Sequence, residues 1–546
     1  MTTPRRSGNY KRSLWDDEYL QSISSVYEGK ESVERAKELK EEIEGILEEK
    51  IMGKDSILGQ IEFVDVLQRL GISYHFKGYI HTIMEGLFSV KDGWVSTDLH
   101  EVALKFRLLR QHNYLVPQDV FSTFVDKNGN FKHNLSSDTR GLLSLYEASY
   151  LSMGGEEIMD KAQEFAKCHL EQNLKQQQLL DQNLRAEITR SMKHLPLHWR
   201  VPRFEAIWFI SMYEKRQDTN PLVLQFAKLD FNLVQVIYQQ ELKELSRWHA
   251  STKLAERLSF ARDRLVESFI WSIGITFEPL FGYCRKMIAK LLVLGTMIDD
   301  IYDVYGTLDE LELFTLAVDR WDINALDHLP DYMKICFFAL FNFVNQHSYD
   351  VLKTQGFNIV SCLKEVWANL CKAYMVEAKW ISSGYTPTIH EFLENGLVSI
   401  AGPLVCFYLC ICCENPIQEK MLKDFIQVSD LNRCTAVAVR LMDDLGTSRD
   451  EMKKGDVVKS IQCYMKEADC SEEEARDHVK YLFHETTKKF NRAMLSNSLL
   501  SKDVVECFMN VIRTAQCIYH TGDRHGIPDE SKELVLSLIL ESIPLA

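Results

Sequence analysis

Asp299, Asp300 and Asp303 arrive together at the end of the apolar run Leu291–Ile298. On a helix, residues four apart share a face, so Asp299 and Asp303 are neighbours, while Asp300 points about 100° away. Two carboxylates on one face repel each other, and desolvation beside an apolar run raises the cost of their charge. A cation removes both penalties. Hard oxygen ligands with open positions suit Mg2+, which takes one or two carboxylates plus substrate phosphates. Taken alone, the triplet reads equally as a solvated helix end.

A second set lies in Arg440-Leu441-Met442-Asp443-Asp444-Leu445-Gly446-Thr447-Ser448-Arg449-Asp450-Glu451. Asp443, Thr447 and Glu451 fall at four-residue steps, so one helix sets carboxylate, hydroxyl and carboxylate in a row. Three oxygens in line can chelate one hard cation. Asp444 and Asp450 fall off that face, as supporting or solvent contacts. Thr447 is the informative member, because a solvated charged face has no need of a hydroxyl. Its other reading is a helix threonine bonding back to a carbonyl. Two acidic helices far apart in sequence can face each other across a bundle, and bundle cores build metal sites in that way. A cleft with metal on both walls suits a diphosphate, whose oxygens bridge several ions.

Arg262 and Arg264 stand just before an apolar segment, and Arg440 stands three residues before Asp443. Arginine favours bidentate phosphate recognition. Each arginine taken singly also reads as a surface ion pair. Trp271, Phe277, Phe281 and Tyr283 follow. Their π faces could line a pocket and stabilise a carbocation, although for most of them a core role is the better reading.

Helices must carry these groups. Glycine (25) and proline (12) are sparse among 546 residues, and apolar stripes at helical spacing recur. Val33, Ala36, Leu39, Ile43, Ile46 and Leu47 mark one between Ser32 and Glu49. Others run through Gly141–Met153, Asn220–Leu245 and Ser471–Phe490. Alternating runs joined by hairpin turns are not seen, so the expected class is all-α. The polar break Lys215–Pro221 divides an N-terminal domain, residues 1–220, from a C-terminal one, residues 221–546, which holds all the acidic chemistry. A net charge of −15 argues against a general nucleic-acid binder but not against an anionic small substrate, since bound metal reverses the local sign. No apolar run reads as long and clean enough to span a membrane. Cys406, Cys410, Cys412 and Cys413 sit in an apolar run without a second half-site, so they read as core thiols rather than zinc ligands.

Together these residues resemble the plant class I terpene synthases, and most closely the angiosperm monoterpene synthases. Arg5-Arg6, eight residues and Trp15 resemble that subfamily's tandem-arginine motif. Phe106–His112, Leu145–Ser149 and Leu195–Arg200 resemble the family's N-terminal domain. Arg262–Ser268, Asp299–Glu312, Leu445–Thr447, Gly455-Asp456 and Ser460–Met465 resemble its catalytic domain. The resemblance implies a C-terminal helical bundle holding the active site and an inactive α-barrel-like N-terminal relative, with residues 1–18 as an arm over the active-site mouth. It implies three Mg2+ ions, with Mn2+ able to substitute. Asp299 and Asp303 would bind two of them, and Asp443, Thr447 and Glu451 the third. Arg262, Arg264 and Arg440 would hold the diphosphate, Trp271 would form pocket wall, and Arg5 and Arg6 would assist isomerisation before cyclisation.

Three positions depart from the family pattern. His249 stands where a second tryptophan is common, Lys454 replaces an arginine, and Arg524 replaces a glycine. The expected function is ionisation of geranyl diphosphate to a monoterpene olefin or alcohol plus diphosphate. The alternatives are a cytosolic sesquiterpene synthase acting on farnesyl diphosphate and, more remotely, a non-catalytic helical scaffold. A chain-elongating prenyltransferase would show two aspartate-rich motifs of similar form. The expected state is a monomer, with a homodimer as the alternative. The compartment is plastid stroma if the chain is a trimmed form, and cytosol if Met1 is the natural start.

Overall fold

The structure, a computed structural model, describes residues 8–89, 94, 96–175, 181–414, 416–417, 422, 429–454, 458–520 and 522–545, with backbone alone for residue 54 and residues 449–454. Among these residues the chain is helical, with one isolated bridge between Val125 and Phe131. The all-α expectation therefore holds. The stripe at Ser32–Glu49 forms the helix Lys30–Glu49 and buries Leu39, Ile43 and Leu47, although Val33 is exposed.

The chain forms two compact units. One comprises Ser25–Val236 with Asn491–Asn497 and Ser542–Ala546, and the other comprises Met1–Ser24, Ile237–Phe490 and Ser498–Glu541. The break at Lys215–Pro221 opens helix α1 (Pro221–Thr252), and the change of unit falls inside that helix, between Val236 and Ile237.

In the first unit, Leu99–Gln111 packs on Thr139–Ser149, which packs on Glu157–Lys175. The motif residues of this unit hold it together. Arg110 is 1% exposed and donates to the carbonyls of Val116 and Leu151 and, as a fork, to Glu156 at 2.7 and 2.5 Å. Glu147 accepts from the Ser191 hydroxyl and the Leu197 N–H, and Glu205 accepts from Arg69, Arg190 and Arg200. Truncating one partner of a buried charge pair strands the other. Arg110→Ala is therefore expected to destabilise the fold by roughly 3–5 kcal/mol, read as a lower urea midpoint.

In the second unit, α2 (Leu265–Ile275) is buried along its whole length and packs on α3 (Gly282–Asp300). Helices α4 (Leu308–Arg320), α5 (Asp331–Gln355), α6 (Val360–Ser383), α7 (Ile389–Ser399) and α8 (Gly402–Cys413) follow. They lead to α9 (Asp430–Lys454), α10 (Ser460–Ala468), α11 (Glu472–Ser496), α12 (Lys502–Tyr519) and α13 (Pro528–Val535). Helix α12 packs on α9, α2 and α8, and this contact set makes the bundle. Residues Ile389–Cys413 are long and apolar enough to cross a membrane by length and composition, but 72% of their most apolar 18-residue window is buried inside the protein. All fourteen cysteines are unbridged, and Cys406 and Cys410 are buried core thiols.

A break separates α7 from α8. Its turning residue is Ala401, at φ 59° in the left-handed region. Gly402 and Pro403 instead open α8, where proline loses no hydrogen bond. Gly402 is required by contact, since a Cβ there would lie 2.5 Å from the Ala436 Cβ of α9.

Glu267 of α2 is 1% exposed and takes a hydrogen bond from the Ser531 hydroxyl at 3.4 Å. Burial pushes its carboxyl up to about 7 from 4.5. The folded state thus binds this proton more tightly than the unfolded state. The resulting stabilisation is complete below pH 4.5 and is lost as pH rises through 7. Glu267→Gln is expected to be more stable than the wild type at pH 8 but not at pH 4, the difference changing by about 3 kcal/mol between them. Urea titrations at the two pH values measure it.

Candidate active site

Asp299 is the next-to-last residue of α3 and Asp303 lies in the wide turn that continues it, Ile301–Tyr305, closed by the Gly306 N–H on the Ile301 carbonyl at 2.8 Å. Such widened turns recur at functional sites. Both carboxylates line one cavity. Asp300 turns away and is wholly buried. It accepts the Arg262 backbone N–H at 2.6 Å and Nε at 3.0 Å, and Arg262 Nη2 reaches Asp299 at 2.6 Å. Burial disfavours the Arg262 charge, but Asp300 foremost, with Tyr10 and Asp299, outweighs it and holds the guanidinium well above its ordinary pKa.

Across the cavity, α9 presents Arg440, Asp443 and Thr447. The same device recurs. Asp444 is wholly buried, accepts Arg440 Nε at 2.8 Å and the Ser460 N–H at 3.1 Å, and leaves Arg440 Nη2 against Asp443. Thr447 bonds back to the Asp443 carbonyl at 3.0 Å while its residue lines the cavity. The Glu451 side chain and residues 455–457 lie outside the described residues, as do Arg5 and Arg6. Tyr374 and Tyr519 complete the acidic field. Burial pushes both phenols well up, and the charges of Asp299 and Asp303 on one and Asp443 on the other push them further.

Arg264, expected on the diphosphate, is 1% exposed and does not line the cavity. It donates to the carbonyls of Gly526 at 2.8 Å and Lys11 at 3.0 Å, so it fastens the N-terminal arm to the loop Asp523–Ile527. Tyr10 of the arm reaches the cavity and lies over Arg262, 5.2 Å from its guanidinium carbon. Trp15 stands off the cavity beside Tyr19. The rest of the wall is apolar and includes Ile275, Leu291, Val405 and Trp271, the last 6.0 Å from the Tyr519 ring. Phe277, Phe281 and Tyr283 do not line it.

Residues 250–489 match the family described as "Terpene synthase family, metal binding domain", and residues 14–192 match "Terpene synthase, N-terminal domain". The chain belongs to the terpene synthase family. This terpene synthase is 50% identical over 99% of its length to a (-)-alpha-terpineol synthase of Vitis vinifera, covering 91% of that protein. It is 51% identical to a (+)-epi-alpha-bisabolol synthase of Phyla dulcis over all of both chains. Among solved structures, limonene synthase with 2-fluorolinalyl diphosphate matches with a TM-score of 0.94 at 42% identity, over 99% of this chain and 100% of that one. Isoprene synthase of Populus x canescens, with three Mg2+ ions and dimethylallyl-S-thiolodiphosphate, matches with a TM-score of 0.88 at 42% identity, over 97% and 99%. The protein is a class I synthase that works with divalent metal.

The donor set fits such an ion. Among the described residues, no three carboxylate, imidazole or thiol groups converge on one point. The acidic residues of the synthase are instead divided between two segments that line one cavity, which suits a cation completed by substrate oxygens. Several cavity residues carried no signal in the sequence. Lys459, 7% exposed, caps the start of α10 and follows Val457 and Val458 in a segment without acidic or arginine spacing to single it out. His525 bonds to the Thr296 hydroxyl at 3.1 Å and is kept neutral, with its pKa lowered to about 3 by burial and then by Arg262 and Arg264. Glu377 of α6 was also missed, although an acid following Tyr374-Met375-Val376 is a signal that could have found it. Of the departures, Arg524 donates to the Cys517 carbonyl and does not line the cavity. His249 lies 3.3 Å from Asp263, and the Lys454 side chain is outside the described residues.

Proposed function

We propose that this synthase ionises geranyl diphosphate with three Mg2+ ions, Mn2+ able to replace them, and converts the cation to a ten-carbon olefin or alcohol. The observation that carries this reading is that Asp299, Asp303, Asp443 and Thr447 line one cavity together with Arg262, Arg440 and an apolar wall. Asp299 and Asp303 hold two ions, and Asp443, Thr447 and Glu451 the third. Bound metal supplies charge that stabilises the departing diphosphate. Arg262, Arg440 and Lys459 hold its oxygens as the C–O bond breaks and the electron pair leaves with it. Tyr10 and the loop Asp523–Ile527, fastened by Arg264, keep water from the allylic cation, and Arg5 and Arg6 assist isomerisation before cyclisation. Trp271 presents a π face to the cation, which then loses a proton or adds water.

A fifteen-carbon substrate is the second reading, favoured by the bisabolol synthase relative, since bisabolol is a sesquiterpene alcohol. Purified protein with geranyl or farnesyl diphosphate and Mg2+, followed by gas chromatography, separates the two. A higher kcat/KM on geranyl diphosphate is expected. A preference for farnesyl diphosphate selects the second reading, and negligible turnover of both removes the assignment.

A further inference from the structure

Glu377 lines the cavity, yet its carboxylate is engaged from behind. Oε1 accepts the Ser399 hydroxyl at 2.5 Å and the Asn395 amide at 3.0 Å, both from α7. The same Asn395 amide donates to the Ala373 carbonyl at 3.1 Å, so two points on α6 grip one turn of α7. That turn is the last before the break. Ser399, Ile400, Ala401 and Gly402 all line the cavity, and the direction of this short wall follows from where α7 ends. The far side of the break is fixed by the close approach of Gly402 to Ala436. The near side is fixed by Glu377. Burial raises its carboxyl, while the Ser399 hydroxyl and then Lys459 and Arg440 favour the charged form.

We propose that Glu377 is a specificity-determining positioning residue, whose clip on Ser399 and Asn395 sets the wall against which the substrate chain folds. This rests on the carbocation reading above. The clip uses carboxylate oxygen as an acceptor, which a glutamine oxygen can replace. The charge facing Lys459 and Arg440 is a separate property, which glutamine removes.

The experiment is product analysis by gas chromatography for the wild type, Glu377→Gln, Glu377→Ala, Ser399→Ala and the Glu377→Ala/Ser399→Ala double variant, with KM and kcat for each. Wild-type turnover comes first, and its absence overturns the proposed function rather than the clip. Given turnover, Glu377→Ala and Ser399→Ala are expected to change the ratio of the two leading products in the same direction, by about 5- to 10-fold for the loss of a buried hydrogen bond. KM is expected to stay within about twofold, because such a change acts on the transition state rather than on ground-state binding. The double variant should shift no further than Glu377→Ala, and Glu377→Gln should restore the wild-type ratio. Unchanged ratios in Glu377→Ala overturn the proposal. So does a Glu377→Gln ratio as altered as that of alanine, which would assign the effect to charge. If Glu377→Ala fails to fold, Ser399→Ala, which removes the same bond from the other side, decides the matter.

Discussion

Asp303→Ala protein is expected to lose on the order of 10³-fold in kcat, several kcal/mol of transition-state stabilisation at 1.36 kcal/mol per decade. Asp303 is the cleaner probe of the acidic wall than Asp299, because Asp299 also pairs with Arg262 and its removal disturbs the cationic group. Removing a metal ligand should also raise the Mg2+ concentration needed for half-maximal rate. Single-turnover rates across a Mg2+ titration, with a circular dichroism melt as the folding control, make the measurement. Wild-type turnover at ordinary Mg2+ would sink the metal-assisted reading.

Arg262→Ala should cost about 10²- to 10³-fold in kcat/KM, the usual price of losing one preorganised donor at a departing oxyanion. Its signature differs from that of Asp303→Ala. Inhibition by inorganic diphosphate should weaken in parallel, while the Mg2+ dependence moves little. Arg262→Lys should recover only part of the loss, because an ammonium cannot form the two-pronged grip on Asp299 and Asp300. The alanine variant also leaves the wholly buried Asp300 charge without the guanidinium, although the backbone N–H remains, so its melting temperature should fall even where turnover is measured on the folded fraction. Unchanged diphosphate inhibition would remove Arg262 from the leaving-group site.

The acidic residues were legible in the sequence because four-residue spacing survives translation into helices. Asp299 with Asp303, and Asp443 with Thr447, do share faces toward one cavity. The same reasoning turned Asp300 away from that face and left Asp444 as a supporting or solvent contact. Only the fold shows that the second aspartate of each pair is a buried clamp, holding an arginine and a backbone N–H. Arg264 illustrates the opposite difficulty. Its residue type and spacing resemble those of Arg262, but its contacts are carbonyls from segments hundreds of residues away, which no local pattern encodes. Lys459 and His525 were invisible for the same reason, since each becomes a cavity residue through the path of a loop rather than through periodicity. The helical class followed from sparse glycine and proline and from helical spacing, while the residue that turns the chain between α7 and α8, Ala401, did not.

The buried stretch Ile389–Cys413 has a bearing on how the molecule is made. Helix α8 packs on α3, which precedes it, and on α9 and α12, which follow. A chain emerging from the ribosome therefore carries a segment with the hydropathy of a bilayer helix before two of its packing partners, α9 and α12, exist. Contacts between segments so distant in sequence close late. Until Lys502–Tyr519 has been synthesised, that segment is the part of the nascent chain most in need of a chaperone. Slower elongation or lower temperature past Cys413 should govern the soluble yield more than any change in the first unit.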